Sequence, residues 1–347
     1  MRKAILIGLL LLPARAFAAG GGDPFVFLLL PTDARSVGLG GSAVALSADA
    51  GAVFRNPGAL ADSPHNGAAF MHNQHFEGVR QQVFSTVFRN GLGFGVNRLS
   101  YGSIPRTTVS NPSGSGLGSY SAADLAVAAG YGRRLNSFMT LGAALKYVQS
   151  DIAGFSARGA ALDAGGRLEL EPIYEVPLVL GWAVQNLGLV RPRYASTTED
   201  FPTVLRLGAA YDLAFLGQKL TAAFELDKEA NDDVTLHPGL EWLPVPWFAA
   251  RAGYDGRNQA GPGVTAGVGW RLKDLSLDYA FVPFGDLGDS HRIGISMRWG
   301  GGPGGAVPGA RLSTFRGGGG LSPAPARKVP FSPYRPIRFE PEPRIGG

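Results

Sequence analysis

The sequence predicts an all-β protein: a transmembrane antiparallel β-barrel of about 14 strands, with an N-terminal plug in its lumen and a disordered C-terminal tail. Between Gly67 and Trp299, segments of about ten residues alternate apolar with small or charged side chains, which is typical of strands with two different faces. These segments are as long as the strands of outer-membrane barrels, which have about 9–11 residues. The connections between them alternate between short and long.

Composition narrows the class of protein. The 347 residues include 51 glycines and no cysteine, and 17% of them are charged, against about 25% charged residues and about 7% glycine in a typical soluble chain. The lack of cysteine excludes disulfide scaffolds, thiol nucleophiles and cysteine-ligated metal sites. No run of 18 apolar residues follows the first 15 positions, which excludes a helical membrane protein.

The net charge of +5 is concentrated at the two ends of the chain. Residues 1–18 contribute +3 and residues 300–347 contribute +5, whereas the residues between them carry −3. A mildly acidic body argues against a nucleic-acid partner, because nucleic-acid binding relies on a basic surface.

Residues 1–18 have the pattern of a signal peptide. Met1-Arg2-Lys3 is basic, a short apolar run follows, and Ala16-Phe17-Ala18 is a small-x-small cleavage site. The apolar run is too short to cross a membrane as a helix, so we expect cleavage after Ala18. A retained anchor is the alternative.

The barrel is predicted over residues 67–299, after a plug segment at 19–66. The candidate strands are 67–76, 79–89, 92–100, 121–132, 138–150, 156–170, 177–187, 203–214, 219–227, 233–243, 247–255, 263–272, 274–283 and 290–299. A soluble sandwich would show the same alternation, but its strands are usually shorter. The second face also mixes glycine and alanine with charges of both signs, as a crowded lumen requires. The expected lumen-facing charges are Arg206, Asp212, Glu225, Asp227, Arg251, Arg271 and Asp278.

Connection lengths predict the orientation. Every second connection is short, as at Asn90-Gly91, which is typical of a type I′ turn, and the others include the longest, 101–120 and 188–202. Outer-membrane barrels have short periplasmic turns and longer outer loops. We therefore expect a multi-pass protein of the bacterial outer membrane, in contact with its lipid and with both termini periplasmic.

The last strand ends on an alternating apolar face with a terminal aromatic residue. The residues on this face are Ile293, Ile295, Met297 and Trp299. The pattern resembles the C-terminal signal by which barrel-assembly machinery recognises its clients, so that machinery is an expected partner. Such a signal usually ends the chain, whereas 48 residues follow the barrel here.

The segment 31–62 carries a distinctive string of motifs. They include Ala34-Arg35-Ser36, Gly38-Leu39-Gly40-Gly41, Ala48-Asp49-Ala50 and Asn56-Pro57-Gly58. The string resembles the N-terminal segment of the PorV/PorQ family, which is similar in turn to FadL-type long-chain fatty-acid transporters, although that family more often has Asn-Pro-Ala-Gly. The resemblance implies a barrel whose N-terminal segment folds into the lumen. It also implies that Arg35, Ser36, Gly38, Gly40, Gly41, Asp49, Asn56 and Pro57 form a plug or gating motif.

The residues of this segment suit a plug. The glycines permit tight turns and close approach to a wall, and Asn56-Pro57 suits a turn. Asp49 is expected to cap a short helix over residues 50–54. We expect Arg35 and Arg55 to pair with lumenal carboxylates, because buried charges need partners. Candidate partners for these arginines are Asp212, Glu225 and Asp278.

No catalytic, metal or cofactor site is predicted. The chain lacks a Gly-x-Ser-x-Gly elbow and a phosphate-binding glycine loop, and His72 and His75 lie three apart on a strand and so face opposite ways. The tail, residues 300–347, contains 12 glycines and 9 prolines, so it is predicted to be disordered. It is expected to act as a tether, or to bind a periplasmic partner or the cell wall.

Two functions remain open. The PorV branch implies a secretion-associated or surface-assembly protein that acts through protein contacts with secretion components, and this is the main expectation. The alternative is a passive transporter for hydrophobic small molecules such as long-chain fatty acids, as FadL-type relatives imply.

Overall fold

Fourteen antiparallel strands close into a barrel, in which each strand pairs with its neighbours along the chain and the last pairs with the first. The computed structural model describes residues 25–46, 49–194, 197–230 and 232–300. The predicted signal peptide and residues 301–347 of the predicted tail lie outside these ranges. The strand number and the antiparallel order confirm the predicted fold class.

The strand bounds differ from the predicted ones by a few residues. The strands are β1 (Asn66–Gln74), β2 (Arg80–Val87), β3 (Leu92–Pro105), β4 (Ser119–Arg134), β5 (Met139–Ile152), β6 (Phe155–Glu169), β7 (Leu178–Val190), β8 (Arg193–Tyr194), β9 (Thr197–Thr198), β10 (Val204–Phe215), β11 (Gln218–Glu229), β12 (Val234–Val245), β13 (Phe248–Tyr254), β14 (Val264–Leu272), β15 (Leu275–Pro283) and β16 (Asp289–Trp299). β8 and β9 form a separate hairpin, and the other fourteen form the barrel.

Both ends of the barrel sheet lie at one rim, because Asn66 pairs with Trp299. We call this rim the termini end and the opposite rim the loop end. The connection between β3 and β4, at the loop end, spans residues 106–118. Several connections depart from the predicted alternation of lengths. The loop-end turns at 153–154 and 230–233 are short, and the termini-end connection at 170–177 contains a helix, α3 (Glu171–Tyr174).

The plug, residues 25–65, runs through the lumen from the loop end to the termini end. Its first described residue, Phe25, packs against Phe201 of a loop-end connection, with ring centroids 5.5 Å apart. The plug helices are α1 (Ala34–Val37), α2 (Ala52–Arg55) and two 3₁₀ turns, Val26–Leu29 and Pro57–Asp62. No helix in the described ranges has the length and apolarity to cross a membrane. The N-terminus itself lies outside the described residues, so its periplasmic position stays a prediction.

The two faces of each strand differ as the alternation predicts. On β12, Gly239 and Glu241 face the buried lumen, whereas Leu240 points outward and is 49% exposed. The predicted assembly-signal residues Ile293, Ile295, Met297 and Trp299 are all exposed on the outer face of β16. An apolar exterior around a polar interior is the arrangement that a lipid environment stabilises.

An arginine in place of Leu240 tests the lipid-facing exterior, because it would place a charge halfway along β12. We expect a loss of about 2–4 kcal/mol in the free energy of unfolding, against about 0–1 kcal/mol for Val234→Arg at the loop end of the same strand and face. Equilibrium unfolding from lipid vesicles, followed by tryptophan fluorescence, measures both losses. Equal losses at the two positions would contradict an exterior that spans the bilayer.

Candidate functional site

Glycines on the lumenal faces of the strands allow the plug to approach the wall at backbone contact distance. A Cβ added at Gly38 would lie 3.1 Å from the Cα of Gly267 in β14. A Cβ added at Gly239 in β12 would lie 2.5 Å from the carbonyl oxygen of Leu39. The glycine content of the strand sequences therefore provides the space that the plug fills.

Gly40 is the point at which the plug turns against β13. Its φ is 72°, a conformation that residues with a Cβ adopt at a cost, and a side chain there would clash with the backbone of Tyr254. The amide of Gly40 donates to Thr265 Oγ1 over 3.0 Å, and its carbonyl oxygen lies 2.8 Å from His237 Nδ1. The wall thus holds both the amide and the carbonyl group of Gly40.

Arg35 of α1 is held by a carboxylate that the sequence analysis did not single out. Its guanidinium donates from Nε and Nη2 to the two oxygens of Glu241, over 2.9 and 2.7 Å. Glu241 also accepts from Arg251 Nε over 2.7 Å, and Arg251 donates to Asp278 over 2.6 Å. Glu241 raises the pKa of Arg35 above its ordinary value, so this link between plug and wall stays charged.

The expected pairing of Arg55 with a wall carboxylate is wrong. Arg55 pairs with Asp33, over 3.3 Å, and with Asp49, both within the plug. Asp49 also accepts from the Gly51 amide, but α2 begins at Ala52 with Gly51 as its N-cap, so Asp49 does not occupy the predicted capping position. Burial acts to raise the pKa of Asp33, but Arg55 and the hydrogen bonds from Ser36 outweigh it and lower that pKa.

A second ionic cluster joins the plug to the wall toward the loop end. Glu225 accepts from the amides of Ala43 and Val44 over 2.6 and 2.8 Å. Arg206 lies 3.1 Å from Glu225 and 2.8 Å from Asp227, which also pairs with the loop residue Arg257. Three of the predicted lumenal charges, Arg206, Glu225 and Asp227, therefore form one network, with Glu225 bonded directly to the plug backbone.

At the termini end, Asn56 and Asp62 fix the last part of the plug. Asn56 donates to the carbonyl oxygens of Val44 and Gly166, over 2.7 and 3.0 Å, and accepts from the Gly58 amide. Pro57 begins the 3₁₀ turn that follows, in agreement with the predicted turn. Asp62 pairs with two wall residues, Arg134 and Arg167.

Two predicted lumenal charges, Asp212 and Arg271, belong to neither of the two ionic clusters within the described ranges. Asp212 is paired with Lys219 over 2.8 Å. Arg271 lines a cavity of about 200 Å³ near the termini end. The sequence did not identify three wall residues that pair with the plug: Glu241, Arg134 and Arg167. Each of them shares its strand face with a glycine that contacts the plug.

Ion pairs and backbone contacts join the plug to the wall at several depths in the lumen. The chemistry of these contacts is that of binding. Within the described parts of the chain, no group of three or more histidine, aspartate or glutamate residues is placed to hold a metal ion.

No protein-family model matches the sequence, and no curated protein matches it. Among solved structures, the CymD monoaromatic hydrocarbon channel is 14% identical over 80% of this chain and 98% of that chain, with a TM-score of 0.51. The toluene transporter TodX of Pseudomonas putida is 13% identical over 76% and 96%, with a TM-score of 0.48. The similarity to CymD shows a shared fold, that of outer-membrane β-barrel channels. Membership of the PorV/PorQ family stays a prediction.

Gly253→Ala tests the backbone contact between plug and wall, because its added Cβ would clash with the backbone of Leu39 and Gly40. We expect a loss of about 1–3 kcal/mol in the stability of the seated plug. Trypsin cleavage after Arg35 or Arg55 in the folded barrel should become faster. Gly67→Ala is the matched control, since its Cβ has no neighbour nearer than 3.5 Å. Equal cleavage rates in the two variants would contradict the role of the contact.

Proposed function

We propose that this chain is an outer-membrane channel for the passive movement of hydrophobic small molecules. The observation that supports this proposal best is an apolar cluster inside the loop end of the lumen. Phe25 and Phe27 of the plug pack there with Leu99, Val148 and Phe201 of the wall and its loops. A hydrophobic solute has a lower free energy in such a cluster than in water.

The wall beside this cluster is irregular. The pairing of β6 with β7 shifts register twice, between Ala160 and Ala161 and between Leu162 and Ala164. Opposite these shifts, Asn186 has a φ of 60°, which is uncommon for a residue with a side chain. Bulges of this kind locally disrupt the ladder of backbone hydrogen bonds.

Near the loop end, beyond the register shifts, this β6–β7 seam is apolar on both sides. Leu189 and Val190 at the end of β7 are 57% and 58% exposed. On the lumenal side, added Cβ atoms at Gly159 and Gly188 would lie 2.9 and 3.1 Å from the Phe201 ring. We therefore propose the loop-end part of this seam as the route from the apolar cluster to the lipid.

The shared fold with hydrocarbon channels agrees with this proposal. CymD is a monoaromatic hydrocarbon channel, so we take a monoaromatic hydrocarbon as the first probe. The secretion-associated role, with its partners among secretion components, stays a prediction that no contact in the described residues favours.

Phe201→Glu tests the apolar cluster, because a carboxylate there would raise the free energy of a bound hydrocarbon. We expect hydrocarbon uptake to fall at least several-fold, measured with labelled toluene in whole cells that express the chain. Phe155→Glu is the control at the same end, since Phe155 is 67% exposed and lies outside the cluster. Uptake no faster than in cells without the protein would refute the proposed function, and normal uptake by Phe201→Glu would refute the role of the cluster.

A reversible disulfide bond between the plug and the wall tests whether the plug must move during uptake. The Cβ of Ala34 would lie 3.5 Å from a Cβ at Gly294, within the range of a disulfide, and the chain has no other cysteine. If solutes leave through the seam, the double variant Ala34→Cys/Gly294→Cys should take up toluene at the same rate whether it is oxidised or reduced. Ser276→Cys/Ser296→Cys, which joins β15 to β16 without the plug, is the control. Loss of uptake on oxidation in the first pair alone, restored by a reductant, would show passage through the lumen instead.

A further inference from the structure

A cavity of about 200 Å³ lies between the plug and the wall near the termini end. The wall there carries small lumenal side chains, Ala69, Ser85, Ser276 and Ser296, whereas glycines elsewhere in the lumen are covered by the plug. Arg271 lines the cavity and is exposed, so the cavity reaches the surface at this end.

The carboxylates that line the cavity are already paired. Asp33 and Asp49 pair with Arg55, and Asp278 pairs with Arg251. They therefore have no strong need of a further cation.

Within the described part of the chain, two arginines in the same cavity make no ion pair. Among residues 25–46, 49–194, 197–230 and 232–300, the Arg271 guanidinium has no ion-pair or hydrogen-bond partner. Within those ranges, Arg298 makes one contact, a 3.0 Å hydrogen bond to the carbonyl oxygen of Lys273. By contrast, Arg206 and Arg257 at the other end each contact two carboxylates. The cavity thus presents free guanidinium donors to an incoming molecule.

The other residues that line the cavity indicate the size and the polarity of such a molecule. The buried side chains of Met71 and Val83 form an apolar part of the cavity, together with Leu243 and Ala249. Drug-sized ligands occupy pockets of about 300–1,000 Å³, so this cavity suits a smaller molecule. The guanidinium fork matches a carboxylate with two parallel hydrogen bonds.

We propose that this cavity binds a small carboxylic acid with an apolar body, about the size of benzoate, with Arg271 and Arg298 holding the carboxylate. This site is separate from the apolar cluster at the loop end. Its occupancy does not depend on the proposed passage of hydrocarbons.

Calorimetric titration of the purified full chain with benzoate, and with neutral benzamide of the same shape, tests the proposal. We expect benzoate to bind at least tenfold more tightly than benzamide, and the preference to weaken as salt rises. Arg271→Gln/Arg298→Gln should abolish the preference. Arg271→Lys should retain part of it, because the charge remains and the fork is lost.

Arg133→Gln is the matched control, because Arg133 is exposed on the outer face of β4 near the same rim. It should leave benzoate binding unchanged. Equal affinities for benzoate and benzamide, or the same loss in Arg133→Gln as in the double variant, would overturn the proposal. Toluene uptake by the double variant should stay normal, so failure of this site and failure of the proposed channel give different results.

Discussion

The close contact between the backbone of the plug and the glycines of the wall is the constraint on which the rest of the lumen depends. Where Gly253 meets Gly40, or Gly166 meets Gly58, no side chain separates the two backbones. This contact fixes the depth at which each plug helix sits. The ion pairs follow from it, because Arg35 reaches both oxygens of Glu241 only from the position that α1 takes against β14 and β15.

Once the plug is seated, the buried charges make other positions costly. Removing one partner of a buried ion pair leaves an uncompensated charge and costs about 3–5 kcal/mol. Displacement of the plug would break several such pairs at once, including those of Arg35 with Glu241 and of Asp62 with Arg134. A solute that crossed the whole lumen would meet this barrier, whereas a solute that used the β6–β7 seam would not. In the proposed channel, the ionic network would therefore favour a lateral route.

The strands and their faces could be predicted because alternation depends on local sequence alone. The geometry of turns could not be predicted in the same way. Asn90-Gly91 suggested a type I′ turn, which needs a positive φ at both residues, but only Gly91 has one. The connection from β2 to β3 has four residues, 88–91. Pairing within the lumen was also beyond local sequence. Arg55 faced several candidate carboxylates, and its choice of Asp33 and Asp49 depends on how the plug folds back on itself.

A buried ion pair lies beside the apolar cluster at the loop end. Lys146 and Asp163 are 2.7 Å apart and almost fully buried, and Lys146 also donates to Asn186 over 2.8 Å. Asp163 also accepts a hydrogen bond from the backbone amide of Asn186. The carboxylate that neutralises Lys146 therefore also holds β7 at the point where its pairing with β6 is irregular. Replacing the bulge with regular pairing would leave that carboxylate with one partner fewer. The charge arrangement inside the barrel therefore stabilises the irregular seam, which lies where the apolar cluster meets the wall.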